Sequence, residues 1–520
     1  MGKRCTCNAL MVLVFILVLC GASRTYGESV LGREAIPGMT TEEATEESSR
    51  EAVIPSEEQM TGEPEQLVDL TDAFNVILNG ATKEFIAGYA VDETFLMWLA
   101  GQYGDDAVMH VACCVLDGCV DVNSWYEITG DSIHVLWMRF CQSTGSGAGD
   151  FQNVYWQDTV DEDRTVFAFT GDINFAEGWY TTDYMEQQEN GILDCFSEDL
   201  LTDLKQADVL LMNNEFTYVK ENRGAPLPGK AYTFRAEPEM VQLLSEFGAD
   251  IVSLANNHTY DYGEIGLLDT MSYLNEAGIP YVGAGKDIDE ASKIVYYVVN
   301  GRKVAIVSAT QIERTTRYTK AATEEEAGVF KALDPELFLK TIKKAKSNSD
   351  YVIAVVHWGT EGALTPDASQ CRLAKLVAEA GADVIIGGHP HRLQGAGFVE
   401  NVPVAYSLGN FWFSDGTLYT TVAQVVIDRE GGLTMQLLPC EQKNMVTRLL
   451  TKPEEISEFY HYLAGISEDV GFDGKGNVYD KRAGDYPADD ILYDAADIEQ
   501  KSSGMLDNEG YAIDIVGNRR

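Results

Sequence analysis

Four of the chain's seven histidines sit in short clusters with carboxylates and amides, and each cluster closes an apolar run. Gly171-Asp172 comes first, then Asn213-Asn214-Glu215 and Ala255-Asn256-Asn257-His258. His357-Trp358-Gly359-Thr360-Glu361 and Gly387-Gly388-His389-Pro390-His391 follow. Neutral imidazoles, carboxylates and an amide oxygen together suit borderline divalent ions such as Zn²⁺, Mn²⁺ or Fe²⁺. Two such ions held close together can share a bridging carboxylate, activate water and stabilise charge on an attacked centre. His389-Pro390-His391 can offer two imidazoles from one turn, with the proline stiffening it. A single histidine of this kind is more often a satisfied core or surface residue. Five such motifs, in order along the chain, point to a metal centre. Trp358, Phe411 and Trp412 read as packing residues. Ser407 lacks a GxSxG context and reads, with Asn410, as loop-structuring.

These clusters need elements that end where they begin. Short apolar runs at 165–170, 209–212, 251–254, 304–308, 351–356, 384–386 and 404–407 read as strands. Helical spacing falls between them at 238–247, 264–277, 335–346 and 368–380. Such alternation predicts an α/β fold with its functional loops at strand ends. The runs 421–427 and 433–438, parted by Asp428-Arg429-Glu430-Gly431-Gly432, predict a closing hairpin. Residues 67–142 have a different texture, with helical apolar spacing from Asp72 and from Glu93, and read as a small, mostly helical accessory domain. The stretch 132–138 is ambiguous between strand and helix. A Gly/Ser run at 143–149 opens a linker to 164, the main domain runs from 165 to 440, and 441–520 forms a C-terminal extension.

The 520 residues carry 82 acidic against 38 basic side chains, a formal net charge of −44 that argues against nucleic acid or an anionic membrane surface as partner. Lys3 and Arg4 precede an apolar run at 9–22, shorter than the roughly 20 residues of a membrane-spanning helix. Residues 1–27 therefore read as an export signal, cleaved near Ala22 or Gly27 or retained as an anchor. Residues 28–66 follow as an acidic stalk, since the nine glutamates between 42 and 65 leave little apolar surface to bury. This places the folded part outside the cytoplasmic membrane. Cys113, Cys114, Cys119 and Cys141 lack the spacing of a zinc site and read as buried thiols with at most one bridge.

The motif set as a whole resembles that of CapA-type proteins of poly-γ-glutamate capsule synthesis. Gly171-Asp172-Ile173, Asn214-Glu215, the Ala255–His258 run with Asp261-x-Gly263, His357-x-Gly359-x-Glu361, Gly388–His391 and Tyr406–Phe411 carry the likeness. That family is similar in fold to calcineurin-like metallophosphoesterases, which implies a four-layer αββα sandwich with a two-metal site. By position, Asp172 resembles the first aspartate ligand, Glu215 the bridging carboxylate and Asn257 the asparagine ligand. His357, His389 and His391 resemble the imidazole ligands. His258 resembles the group that protonates the leaving group, with Asp261 and Glu361 beside it in the catalytic set. Three positions depart from the phosphoesterase pattern. Asp-x-His is here Asp172-Ile173-Asn174, a glutamate stands for the bridging aspartate, and Asp261 follows His258 by three residues. The resemblance implies a metal-dependent hydrolase or transferase on an anionic polymer or peptide, working beside membrane-associated capsule-synthesis proteins. A non-catalytic assembly or export subunit and a phosphoesterase on envelope or nucleotide phosphates stay open as alternatives.

Overall fold

A computed structural model of the chain describes residues 69–119, 121, 123–145, 152–312 and 318–484. The expected export signal, the acidic stalk and most of the Gly/Ser run lie outside them. By contacts the chain splits into two units at Ile133/His134. In the first, helices α1 (Leu70–Gly80), α2 (Glu93–Tyr103), α3 (Asp105–Asp117) and α4 (Asn123–Thr129) surround buried Ile77, Phe95, Leu99, Val111 and Trp125. Asp69 and Asp92 cap α1 and α2 by accepting from the first-turn amides. Trp125 stacks on Phe85 at 4.8 Å and donates its indole N–H to the Phe85 carbonyl. The ambiguous stretch resolves as helix α5 (Ile133–Thr144), which begins at the division between the units. Among the described cysteines, Cys113, Cys195, Cys371 and Cys440 carry free thiols. Cys113 and Cys114 are neighbours on α3 and so face different directions, and of the two Cys114 is buried.

The second unit is built on two sheets. One has the strand order β19-β18-β17-β2-β3-β6-β7, with β16 also pairing β2. Its strands are β2 (Arg164–Ile173), β3 (Val209–Asn214), β6 (Ile251–Ser253), β7 (Tyr281–Val282), β16 (Asn410–Trp412), β17 (Leu418–Asp428), β18 (Leu433–Lys443) and β19 (Val446–Leu449). The other runs β1-β9-β10-β12-β13-β15-β14. These are β1 (Val154–Gln157), β9 (Val295–Val299), β10 (Arg302–Thr310), β12 (Tyr351–His357), β13 (Val384–Gly388), β14 (Ala396–Val399) and β15 (Val402–Ala405). Three two-stranded ribbons complete the strands: β4 (Thr217–Tyr218) with β5 (Arg235–Ala236), β8 (Ala284–Gly285) with β11 (Gly328–Val329), and β20 (Val470–Phe472) with β21 (Val478–Asp480).

Three buried clusters show the layering. Phe167, Phe169 and Leu211 of one sheet pack against Ile306, Ile353 and Ile386 of the other, forming the seam between sheets. The outer face of the first sheet is covered from α6 (Tyr180–Met185), α7 (Glu198–Lys205), α8 (Gln242–Phe247) and α9 (Gly263–Glu276), through Met185, Leu200, Leu244 and Leu267. The outer face of the second lies under α10 (Ile288–Ala291), α11 (Glu336–Lys346) and α12 (Ala368–Ala380), through Ala291, Phe338 and Leu373. This is the four-layer αββα sandwich. Among the described residues no helix is long and apolar enough to cross a membrane.

Two parts of this unit differ from the sequence reading. Inside the expected linker, β1 adds an edge strand parallel to β9, and its four residues Val154-Tyr155-Trp156-Gln157, none of them buried, show no period that marks a strand. Inside the expected C-terminal extension, α13 (Pro453–Gly465) buries Phe459, Tyr460 and Leu463 in the seam cluster.

Candidate metal centre

β2, β3, β6, β12 and β13 run mutually parallel within their sheets, so their carboxyl ends gather at one edge of the sandwich. The register between β2 and β3 shifts between Phe169 and Asp172, an irregularity of the kind that re-aims a side chain beside a site. Gly171 makes the approach feasible. A Cβ there would lie 2.0 Å from the Gly409 carbonyl, so only a glycine lets β2 and the start of β16 come together. On the other sheet, His389 and His391 both adopt positive φ, 96° and 55°. Left-handed backbone at two non-glycine residues flanking a proline is strained, and such strain persists where surrounding structure imposes it.

Six donors converge at this edge, and all six residues are buried. Asp172, Glu215 and His391 form one group, and Glu215, His357 and His389 a second that shares the glutamate. The His391 Nδ1 lies 3.3 Å from Asp172 Oδ2, and its Nε2 lies 3.8 Å from Glu215 Oε1. His357 Nε2 lies 3.4 Å from the same Oε1 and 3.1 Å from His389 Nδ1. Asn257 Oδ1 joins the second group 2.8 Å from His357 Nε2. Asn213 donates to both carboxylates, 2.7 Å to Asp172 and 3.3 Å to Glu215 Oε2, and Asn256 in turn donates to Asn213. Glu215 Oε1 and His391 Nε2 are fully buried without a hydrogen-bond partner.

The electrostatics follow from crowding like groups out of water. Burial, then the neighbouring Asp172, raises Glu215 well above the usual carboxylate range. Burial pushes His357 down to about 3 and His389 well below the ordinary imidazole range, so both are neutral and free to ligate. Burial would lower His391 too, but Glu215 and Asp172 outweigh it and hold the ring above its ordinary value.

Beside this centre stands a second arrangement. His258 Nδ1 lies 2.8 Å from Asp261 Oδ2. The same oxygen accepts the Phe234 backbone N–H, and Oδ1 accepts from the Lys230 ammonium at 2.7 Å. Asp261 is thus an acceptor on every side, so Nδ1 of His258 carries the proton and Nε2 is the basic nitrogen. Burial is the largest influence on His258 and takes it down to about 4. Phe234 packs on its ring at 4.5 Å, and Phe413 packs on His391 at the same distance.

The sequence profile of the family described as bacterial capsule synthesis protein PGA_cap matches residues 166–415. The capsule biosynthesis protein CapA of Bacillus anthracis is 34% identical over 270 residues, covering 48% of this chain and 65% of that protein. The PGA biosynthesis protein CapA of Bacillus subtilis is 32% identical over 271 residues, covering 52% of this chain and 68% of that protein. The chain belongs to the PGA_cap family. It spans about two thirds of the length of these two relatives. Among solved structures, a calcineurin-like phosphoesterase from Bacillus subtilis aligns over 58% of this chain and 97% of its own, at 16% identity and a TM-score of 0.31.

Within this PGA_cap domain, the six residues read as ligands from sequence meet at one edge, with the His258–Asp261 pair adjoining them. Glu361 stands apart from that cluster. It is exposed on the turn after β12 and acts on Glu215, His357 and His391 through its field. Asn174, at the departure from Asp-x-His, is turned to local structure, its Oδ1 accepting from the Ala176 N–H. Trp358 is core, its indole donating to the Tyr406 carbonyl. Three contributors escaped the sequence reading. Asn410 sits 2.8 Å from His391 Nδ1, which makes it part of the site and more than a loop-former. Asn213 links the two carboxylates, and Lys230 binds Asp261. Asn213 and Asn410 lie inside recognised motifs, so proximity to the proposed ligands was a signal for them. Lys230 stands in a polar loop with no spacing to mark it.

Proposed function

We propose that this centre holds two divalent cations, manganese, zinc or iron, and that the protein is an exported metal-dependent hydrolase or transferase of poly-γ-glutamate capsule synthesis or processing. The observation that carries the reading is Glu215 Oε1. It is a buried carboxylate oxygen with no hydrogen bond, faced by nitrogens from two histidines. A buried carboxylate left so is costly unless it is protonated or paired with a cation, and the surrounding oxygen and imidazole donors suit a borderline divalent ion. Asp172, Glu215 and His391 would hold one ion, and Glu215, Asn257, His357 and His389 the other. When bound, such ions supply Lewis acidity and offset charge at the reacting centre.

The chain's own groups do the rest. Asn213 fixes the rotation of both carboxylates, and Asn410 fixes His391. His258, with Nδ1 anchored on Asp261, can take a proton at Nε2 and hand it to a leaving group. The names of the Bacillus relatives, which speak of capsule and PGA biosynthesis, support an anionic poly-γ-glutamyl polymer or peptide as substrate, and we take membrane-associated capsule-synthesis proteins as the partners to test. The apolar leader and acidic stalk support placement at the extracellular face of the cytoplasmic membrane. Protease added to intact cells should then remove the domain, whereas full protection in a cytosolic fraction would refute that placement.

The test of the activity is metal analysis of the purified protein coupled to a screen of γ-glutamyl and phosphoester substrates. Two bound equivalents with turnover of a γ-glutamyl substrate is the expected result, and turnover confined to phosphoesters would redirect the reading. The same domain could serve as a non-catalytic assembly or export subunit. Asn174 favours that second reading, since it replaces a histidine of the phosphoesterase pattern and commits its amide oxygen to Ala176. Stoichiometric metal with no turnover in the screen would select it.

A further inference from the structure

The chain between β4 and β5 is a loop whose residues 220–226 are all exposed. Lys230 breaks the pattern. Its side chain is 5% exposed, and its ammonium reaches into the site. There Nζ donates to Asp261 Oδ1 at 2.7 Å and also to the backbone carbonyl of Asn257. A lysine on an exposed loop can keep its charge in water at no cost, so burying the head calls for partners that repay the lost hydration. The two partners found are not arbitrary. One is the carboxylate that holds His258, and the other is the backbone of the residue whose amide faces His357.

The surrounding bonds make this a brace. Leu227 N–H donates to the Asp261 carbonyl, and Tyr318 donates to the Gly229 carbonyl. Thr319 donates to the same Asn257 carbonyl that Lys230 uses. Leu227 and Gly229 precede Lys230, and Phe234 after it donates its backbone N–H to Asp261 Oδ2, so the loop is fixed on both sides of Lys230 and the ammonium is delivered to a set point between residues 257 and 261.

We propose that Lys230 is a positioning residue of the centre. Its ammonium fixes the turn from Asn257 to Asp261 so that the amide oxygen of Asn257 and the ring of His258 face the same reacting point. The inference rests on the reading of His258 as the proton-handling group and of Asn257 as a ligand. It extends that reading to a cation that touches neither the reacting atoms nor a metal. A salt bridge that merely tethered the loop would leave both side chains where they are.

The experiment uses the full chain with ¹⁵N-labelled histidine, and His258→Gln assigns the His258 ring signals. Lys230→Met keeps the apolar stem and removes the charge, whereas Lys230→Arg keeps the charge. In Lys230→Met the His258 Nδ1–H signal should shift or broaden. Cobalt(II) affinity, read by calorimetry and by the visible absorption bands, should fall about 10–100-fold, as for loss of an outer partner of a ligand. Lys230→Arg should restore the signal and most of the affinity. Should Lys230→Met fail to fold, Lys230→Gln keeps a donor without the charge and should show the same changes. A folded Met or Gln variant with an unchanged His258 signal and unchanged cobalt affinity overturns the proposal, whatever its melting temperature. If the unaltered chain takes up no cobalt, the metal reading falls, and the His258 signal alone then decides the role of Lys230.

Discussion

His357 ends β12 and His389 follows β13, each neutral and each with a nitrogen within 3.1 Å of the other's. Replacing either by alanine should lower divalent-metal occupancy, with affinity falling by at least the 10–100-fold seen for lost outer partners and the fold retained. Metal content of the purified variants, read beside their circular dichroism, checks this. His258 is argued separately, because it adjoins a proposed ligand and is itself held by Asp261. His258→Gln should retain metal and lose about 10²–10⁴-fold in turnover. The same variant has a pH signature. Burial takes His258 down to about 4, so its contribution to stability is present above the unfolded value near 6.5 and is lost as pH falls from there toward 4. Between pH 7 and 5 the metal-free His258→Gln chain should therefore lose about 2 kcal/mol less stability than the unaltered chain, measured by urea unfolding. At this scale the sequence was readable where residue type alone limits the chemistry, as with an imidazole or a carboxylate after an apolar run. It was silent on Lys230, because an ammonium in a polar loop looks the same whether solvated or buried.

The elements place these side chains by closeness of backbone as much as by regular pairing. Gly171→Ala would drive a methyl into the Gly409 carbonyl. Either β16 moves off β2 or the end of β2 shifts, and both displace Asp172 and Asn410 together. The variant should cost about 1–3 kcal/mol, the usual range for overpacking, and should weaken metal binding as well. Denaturant titration and calorimetry give the two numbers. Strands buried on both faces were legible as unbroken apolar runs, and α12 was legible to the residue because Asp367 and Gln370 form a capping box before it and Gly381 ends it in left-handed backbone. The hairpin of β17 and β18 is longer than its pattern, 11 residues in each strand, since Thr420 and Thr421 on one strand and Pro439, Glu441, Gln442 and Lys443 on the other break the apolar run at its open end. The edge strand β1 could not be recovered from alternation, being too short and too exposed to carry a period.

At the scale of the molecule, the segment that matches the family stops at 415, yet β17 begins at Leu418 and pairs directly with β2 along Arg164–Phe169. β17 and β18 thus stand between β2 and the sheet's edge, and α13 closes the seam beyond them. A fragment of residues 166–415 should fail to fold, whereas one carried through 484 should give a cooperative unfolding transition in circular dichroism. The division of labour between sheets has a further consequence. Asp172, Glu215 and Asn257 hang from one sheet, and His357, His389 and His391 from the other. An ion seated among them would be a rivet through the two leaves of the sandwich. At a hundred times its dissociation constant it would add about 2.7 kcal/mol to the folded state. Chelation should then be felt as an unclasping at one end. Amide exchange should quicken at the carboxyl ends of β3 and β13 while β9, toward the far edge of the second sheet, keeps its protection.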